Sequence, residues 1–220
     1  MTDLDRPVAE LTLGGFAEAL ASEAPVPGGG AAAAVSAALG ASLTAMVVRL
    51  SLDRPKYADH AALHGEALER SDAARLHFLA LADADARAYA AYRTARSLPH
   101  GSDEETAARE AATREAARGA CQVPLDVVKA CHAQVELVER VVGRTNLYVA
   151  SDLDVAALLL DSAARAAAAN VRVNLGSIGD EGFASAVSVE LDQRLQQIQS
   201  TADRARERVA KGALRRPEGE

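Results

Sequence analysis

Polar side chains interrupt an alanine-rich segment of this chain and are its first candidates for chemistry. Asp83 and Asp85 lie in this segment, and Tyr89 follows Asp85 by four residues. On a helix Asp85 and Tyr89 share a face, whereas Asp83 and Asp85 point to different faces. A carboxyl group that is partly buried among alanines has a raised pKa and suits general acid–base catalysis. The alternative interpretation is the solvated face of a charged helix.

A second alanine-rich segment contains Asn170 and Asn174, four residues apart and therefore on one helix face. Each amide carries donors and acceptors, so the pair suits the polar edge of a heterocycle. Hydrogen bonding between helices, or across a dimer interface, explains the pair equally well. Asp152 precedes Asn170 by about 27 Å along one helix. The two residues therefore serve opposite ends of an elongated ligand, or different sites of a dimer.

Three consecutive glycines, Gly28, Gly29 and Gly30, follow Pro27 and run directly into an uncharged segment. Glycine tolerates a positive φ and has no Cβ, so a ligand can approach its backbone N–H group. A helix that begins here offers unpaired N–H donors and a positive dipole end, which suits an anion or a polar ring edge. The alternative is an ordinary turn whose glycines pack against a neighbouring element.

Other kinds of site are poorly supported. His60 and His64 have a spacing that can bind zinc, but no third ligand follows in a recognisable pattern. We interpret both as solvated side chains on an outer helix face, and we expect no metal. The glycines are not followed by Gly-Lys-Ser/Thr, which excludes a P-loop. No serine or cysteine lies in a nucleophile-elbow pattern.

The elements that position these residues are predicted to be helices almost throughout, since no segment alternates with the period of a strand. Pro124 either interrupts one helix or starts the next. Ser151 to Asp154 has the pattern of a capping box at a helix start. The predicted helices span residues 11–21, 30–51, 57–97, 104–121, 124–142, 151–175 and 183–213, and residues 215–220 are expected to fray.

Residues 25–48 contain no charged residue and could be mistaken for a membrane span. Their strong hydrophobes begin only at Val35, and small residues recur every four positions, which also allows close packing in soluble helices. Because no basic flank or aromatic belt accompanies the segment, we expect a buried helix of a soluble protein and no membrane partner.

Composition narrows the function classes further. The net charge of −7 argues against a nucleic-acid partner. Cys121 and Cys131 would lie about 15 Å apart on one helix, too far for a disulfide. We interpret them as buried apolar residues in a reducing compartment. Residues 1–10 do not form a signal peptide, and we expect a cytoplasmic protein.

Several short motifs, in a fixed order over about residues 11–180, resemble the formiminotransferase-cyclodeaminase C-terminal domain family. The order and spacing of the motifs carry this resemblance, since each motif is short. They are Ala24-Pro25-Val26-Pro27-Gly28-Gly29-Gly30, Met46-Val47, Lys56-Tyr57, Asp83-Ala84-Asp85 with Ala88-Tyr89, Leu98-Pro99, Val123-Pro124-Leu125, Asn146 with Ser151-Asp152, and Asn170-Val171-Arg172-Val173-Asn174-Leu175.

The resemblance implies an all-α, up-and-down bundle of long helices, forming one domain over residues 1–220. It also implies a homodimer that binds a tetrahydrofolate derivative in a cleft. A cyclohydrolase of this family converts 5,10-methenyltetrahydrofolate to 10-formyltetrahydrofolate, whereas a cyclodeaminase closes 5-formiminotetrahydrofolate and releases ammonia. Neither reaction needs a metal or redox cofactor. We favour the cyclohydrolase because these 220 residues include no formiminotransferase domain.

The resemblance also implies roles for the candidate residues. Asp85, with Tyr89 nearby, is the first choice as the acid–base group, and Asp152 is the second. The remaining candidates, which include Tyr57, are expected to bind substrate. Gly28, Gly29 and Gly30 would do so through backbone N–H groups, and Asn170 and Asn174 would contact the pterin or orient a water. Lys56 and Arg172 would bind the glutamate carboxylates of the folate. The competing hypothesis is a non-catalytic helical scaffold or folate-binding protein.

Overall fold

The computed structural model describes residues 6–218, and it contains helices but no strand within that range. The expectation of an all-α protein is therefore confirmed. Among residues 6–218, the 3-10 turns Pro55–His60 and Leu147–Val149 lie in connections between helices, and the turn Val8–Glu10 precedes the first helix. The helices are α1 (Leu13–Ala21), α2 (Gly29–Arg49), α3 (Ala61–Arg96), α4 (Asp103–Val141), α5 (Ser151–Leu175) and α6 (Glu181–Lys211).

Four of these helices, α2 to α5, form a ring in which each packs against the next and α5 closes back on α2. Their connections are short, so successive helices run in opposite directions, as in an up-and-down bundle. Helix α6 packs along the groove between α4 and α5. The prediction of one domain over residues 1–220 stays a prediction.

Helix α2 is buried in the bundle because its small side chains let α5 approach closely. A Cβ at Gly40 would lie 3.0 Å from Leu160 Cγ and 3.2 Å from the Ala156 carbonyl oxygen. Among the described helices, α2 is the one that is long and apolar enough to cross a membrane. Its burial against α3 and α5 agrees with the predicted core helix, and the absence of a membrane partner stays a prediction. Buried small residues along α2 include Ala33, Ala37, Ala41 and Thr44.

Helix α4 runs unbroken through Pro124, whereas the sequence predicted a break or a new start there. Proline has no N–H, so the carbonyl of Ala120, four residues earlier, loses its partner within the helix. The side-chain Nδ2 of Asn174 in α5 donates to that carbonyl at 2.7 Å. A side chain from the neighbouring helix therefore replaces the missing bond, which allows α4 to continue.

Helix α5 begins at Ser151 as predicted, but the capping box does not form. The preceding Ala150 already has helical dihedral angles, φ −64° and ψ −25°, because the 3-10 turn Leu147–Val149 leads directly into the helix. Asn146 caps that turn instead, and its Oδ1 accepts the N–H of Tyr148 at 3.2 Å.

The prediction that His60 and His64 are solvated is wrong. Their exposed fractions are 7% and 1%, and their rings lie 6.2 Å apart. His64 Nε2 donates to the Arg144 carbonyl at 2.8 Å, because the segment after α4 folds over the start of α3. Nowhere in the described part of the chain do three or more His, Cys, Asp or Glu side chains gather as metal ligands. Cys121 and Cys131 are free and buried, as predicted.

The prediction that residues 215–220 fray is wrong for residues 215–218. The backbone N–H of Arg215 donates to the Gly143 carbonyl at 2.8 Å, and its side chain donates to the Glu139 carbonyl at 2.7 Å. Glu218 pairs with Arg140 at 2.9 Å. These contacts hold the tail against the end of α4. Residues 219–220, and residues 1–5 of the expected N-terminal segment, lie outside the described range.

Candidate functional site

Asp85 of α3 lies directly against the start of α2. A Cβ built on Gly30 would be 2.2 Å from Asp85 Oδ1 and 2.5 Å from its Cγ, so only glycine leaves room for this carboxyl group. The half-buried carboxyl accepts the backbone N–H of Ala31. Burial raises the pKa of Asp85 above its ordinary value, although the hydrogen bond from Ala31 opposes the increase.

The three glycines act through close approach and not through a left-handed turn, because none of them has a positive φ. Gly28 precedes the helix in extended conformation, with φ −126° and ψ −157°. The first hydrogen bond within α2 runs from Ala32 N to the Gly28 carbonyl. The N–H groups of Gly29 and Gly30 therefore have no acceptor inside the helix and remain available at its positive end.

Asn170 of α5 completes this cluster on the other side of α2. Its Nδ2 lies 3.8 Å from the Cβ position of Gly29 and donates to the Ala166 carbonyl at 3.0 Å. Its Oδ1 accepts no hydrogen bond from any residue between 6 and 218, so it is available to a ligand. The structure therefore places Asp85, Asn170 and two N–H groups that donate to no residue between 6 and 218 around one helix start.

The other side chains of the first alanine-rich segment point where the helical spacing predicts. Asp83 faces away from Asp85 and accepts the backbone N–H of Val8 at 2.8 Å, which ties the N-terminal 3-10 turn to α3. Tyr89 lies one turn after Asp85 and is 40% exposed. Together with Tyr92, Tyr89 lines a cavity of about 320 Å³.

Lys56, Tyr57 and Asp152 lie at the opposite end of the bundle from the triple glycine. Tyr57 is buried and its hydroxyl accepts the N–H of Leu147 at 3.2 Å, while Lys56 Nζ lies 5.6 Å from the Tyr57 ring centre. Asp152 lies in the first turn of α5, the helix that follows the Leu147–Val149 turn. A single chain therefore does not bring these three residues to Asp85.

Arg172 and Asn174 also have partners away from the Asp85 cluster. Arg172 points towards α6 and pairs with Asp192 at 2.7 Å. Asn174 uses its Nδ2 on the Ala120 carbonyl of α4. Asn170 and Asn174 share one side of α5, but the first contacts the start of α2 and the second contacts α4.

Two further residues of α3 were not predicted from the sequence as site candidates. Tyr92 and Arg96 follow Asp85 by seven and eleven residues, so Asp85, Tyr89, Tyr92 and Arg96 form one stripe along α3. The spacing of this stripe was a readable signal. Arg96 is the last residue of α3, so the stripe ends at the connection between α3 and α4.

Comparisons with known proteins identify the family of this chain. A family model described as formiminotransferase-cyclodeaminase matches residues 12–193. The methenyltetrahydrofolate cyclohydrolase of Methylorubrum extorquens is 38% identical over 90% of this chain and 95% of its own length. The formimidoyltransferase-cyclodeaminase of Sus scrofa is 32% identical over 85% of this chain, which corresponds to 35% of that longer protein.

A solved structure shows the same fold. The crystal structure of formiminotetrahydrofolate cyclodeaminase from Thermotoga maritima superposes with a TM-score of 0.84 at 27% identity. The match covers 93% of this chain and 98% of that chain. The resemblance inferred from the short motifs is therefore confirmed over nearly the whole chain.

Proposed function

Because the chain belongs to the formiminotransferase-cyclodeaminase family, we propose that it is a folate enzyme that hydrolyses 5,10-methenyltetrahydrofolate to 10-formyltetrahydrofolate. The observation that carries this proposal is the half-buried Asp85 carboxyl against Gly30, beside the free N–H groups of the α2 start. The likeness to a cyclohydrolase along almost its entire length supports the choice of reaction.

Asp85 moves the protons in this mechanism. Water adds to the bridge carbon between N5 and N10 and loses one proton to the Asp85 carboxylate. The bond from that carbon to N5 then breaks, and N5 takes the proton from Asp85. The hydroxyl of the adduct releases its proton to solvent as the formyl group forms on N10. A carboxyl group whose pKa is raised by burial suits both transfers.

The groups around Asp85 hold the pterin in this proposal. The N–H groups of Gly29 and Gly30 and the Oδ1 of Asn170 offer two donors and one acceptor to the polar edge of the ring. Asp85 also places a negative charge near the positive methenyl bridge, which favours binding of the cation. Neither metal nor redox cofactor takes part.

Cyclodeamination is the second candidate, and the names of the Thermotoga maritima and Sus scrofa relatives favour it. N10 adds to the formimino carbon and gives its proton to Asp85. Asp85 then protonates the amino group of the adduct, which leaves as ammonia. The same carboxyl group serves both reactions, so the two assays must be run side by side.

The decisive experiment compares loss of methenyltetrahydrofolate absorbance with release of ammonia from formiminotetrahydrofolate. We expect Asp85→Asn to lower the faster of the two reactions by about 10²- to 10⁴-fold, the usual contribution of a positioned acid–base group. Asp83→Asn is the matched control, because an asparagine can still accept the Val8 N–H, and it should stay within a few-fold of wild type. Undiminished turnover by folded Asp85→Asn would remove Asp85 from the mechanism.

The homodimer belongs to the proposal as well. Helices α2 and α5 are neighbours, and each leaves apolar side chains exposed, including Leu39 at 50% and Leu158 at 44%. In the proposed dimer a second copy covers this α2–α5 face, and the two-fold axis is perpendicular to the helices. The partner subunit's Asp152 would then lie near the triple glycine of the first subunit. This arrangement gives Asp152, Lys56 and Tyr57 a place near the substrate.

The proposal also covers the partners of the enzyme and its location. Its partners are a tetrahydrofolate derivative and a second copy, without nucleic acid or membrane, and it works in the cytoplasm. Calorimetry separates this proposal from a helical scaffold, since a scaffold would show neither heat nor a thermal shift with tetrahydrofolate derivatives. Binding without turnover would indicate a folate-binding protein instead of an enzyme.

A further inference from the structure

Residues 213–218, which we call the strap, follow α6 and lie across the connection between α4 and α5. The backbone N–H of Arg215 donates to the Gly143 carbonyl at 2.8 Å. A Cβ at Gly143, whose φ is 76°, would lie 2.8 Å from the Ala213 carbonyl oxygen. The strap therefore packs directly on the backbone of the connection, at a position where a side chain would displace it.

Two side chains of the strap fix it to the end of α4. The guanidinium group of Arg215 donates to the carbonyls of Glu139 at 2.7 Å and Val142 at 3.2 Å. The last carbonyls of a helix have no partner within that helix, so Arg215 supplies donors where α4 lacks them. Further along the strap, the Glu218 carboxylate pairs with Arg140 at 2.9 Å. The strap is therefore held by backbone and side-chain contacts together.

Arg144 links the strap to the connection between α4 and α5. Its side chain is only 9% exposed, and its guanidinium group lies 3.7 Å from the Glu218 carboxylate. Its Nε donates to the Arg216 carbonyl at 2.7 Å. A buried charge without partners is strongly unfavourable, so Arg144 keeps this position only while the strap is in place. The Arg144 carbonyl also accepts from His64 of α3 at 2.8 Å, so the same residue joins the strap to α3.

The connection under the strap orders the candidate residues at this end of the bundle. The backbone N–H of Asn146 donates to Ser51 Oγ at 2.8 Å, and that of Leu147 donates to the Tyr57 hydroxyl at 3.2 Å. Asp152 follows in the first turn of α5. The position of Tyr57 relative to Asp152 therefore depends on the conformation of this connection.

The strap also contacts the 3-10 turn that contains Lys56 and Tyr57. His60 ends this turn, is 7% exposed and lies within hydrogen-bonding reach of the Arg215 backbone. Both segments that carry candidate residues at this end are therefore in contact with the strap. The Asp85 carboxyl group lies at the opposite end of the same chain, against the start of α2.

We infer that the strap is a positioning device for the substrate site, which holds Tyr57 and Asp152 in the arrangement that binds substrate. The inference rests on the proposed function and its dimer, in which this end of one subunit faces the triple glycine of the other. The strap acts on substrate binding and not on proton transfer, because it does not contact Asp85. The family model matches residues 12–193, so the strap lies beyond the part of the chain from which the site roles were inferred.

The first test removes the side-chain anchors of the strap in the double variant Arg215→Ala/Glu218→Ala. For the substrate that wild type turns over, we expect KM to rise by about tenfold or more, because misplaced groups bind substrate poorly. We expect kcat to stay within about threefold, since the surroundings of Asp85 are unchanged. Partial loss of folded enzyme would instead lower kcat at an unchanged KM. The matched control is Glu190→Ala/Arg194→Ala, which removes an ion pair of 2.9 Å on α6 outside the strap and should change neither constant.

Hydrogen–deuterium exchange separates this inference from the proposed function, because it needs no turnover. In the double variant, backbone N–H groups of residues 142–150 should exchange at least about tenfold faster than in wild type, while those of α2 keep their rates. This result supports the hold of the strap on the connection even if no folate is turned over. Unchanged exchange in residues 142–150, faster exchange in all helices alike, or an unchanged KM in an active enzyme overturns the inference.

Discussion

At the scale of single residues, the contact between Gly30 and Asp85 is the central feature of the proposed site. The carboxyl group occupies the space in which any other residue at position 30 would carry its Cβ. This contact both buries Asp85, which raises its pKa, and leaves the N–H of Ala31 within hydrogen-bonding reach. Asp83, two residues earlier, faces the N-terminal turn instead and accepts the backbone N–H of Val8.

Gly30→Ala should therefore abolish most activity while the protein stays folded. The added Cβ displaces only the end of the Asp85 side chain, and alanine is a better helix former than glycine by about 1 kcal/mol. Activity assays and urea unfolding measure the two effects separately. Gly29→Ala is the comparison, because its Cβ meets Asn170 Nδ2 at an ordinary 3.8 Å. A Gly30→Ala enzyme as active as Gly29→Ala would contradict the geometry.

His60 gives a second prediction at this scale, on stability. Burial lowers the pKa of His60 below its ordinary value of 6.5, and the charges of His64 and Arg144 act in the same direction. The unfolded chain then binds more protons than the folded chain below about pH 6.5, so the free energy of unfolding falls as the pH drops through this range. Above that pH the contribution of His60 is complete.

Urea unfolding at pH 7.5 and pH 5.5 measures this dependence. Wild type should lose more free energy of unfolding between the two pH values than His60→Gln, by less than about 1.4 kcal/mol for each pH unit. The exposed His77, changed to glutamine, provides the comparison for loss of a histidine as such. The same pH slope in wild type and His60→Gln would show that burial of His60 has no part in acid sensitivity.

At the scale of helices, a side chain of α5 replaces a backbone hydrogen bond that α4 lacks. Pro124 removes a hydrogen bond from α4, and Asn174 of α5 supplies a donor to the carbonyl that lost its partner. The sequence contains both residues but not their relation, because 50 positions separate them along the chain. The prediction of a break at Pro124 failed for this reason.

A double-mutant cycle tests whether Asn174 compensates for the hydrogen bond that Pro124 removes. Asn174→Ala should lower the free energy of unfolding by about 1 kcal/mol, the usual net value of one hydrogen bond. In a Pro124→Ala background the effect should be smaller, since the N–H at position 124 can then pair with the Ala120 carbonyl. Equal effects in the two backgrounds would refute the coupling. Loss of turnover without loss of stability would instead support the predicted contact of Asn174 with substrate.

At the scale of the whole molecule, the candidate residues divide between two ends of one bundle. Asp85, Asn170 and the triple glycine lie at one end, and the Lys56 and Asp152 region lies at the other. Helices α2 and α5 also carry exposed apolar side chains, including Leu39 and Leu158. The proposed dimer through this face would account for both the division and the exposure.

Substituting arginine on this face should produce monomers. We expect Leu39→Arg and Leu158→Arg to elute as single chains in size-exclusion chromatography with light scattering, because burying an unpaired charge is strongly unfavourable. Leu76→Arg is the control, since Leu76 is 57% exposed on α3 and lies away from this face. Wild type that is already monomeric, or arginine variants that remain dimeric, would rule out this interface.

The sequence by itself determined the helical fold, the positions of most helix ends and the family, because local spacing and short ordered motifs record these properties directly. It also identified Asp85, Asn170 and the glycines as candidates. The tertiary structure alone decided that Asp85 rests on Gly30, and that Asn174 serves α4. It also decided that His60 is buried, at 7% exposure. Each of these depends on contacts between residues far apart along the chain, which packing selects and local pattern does not record.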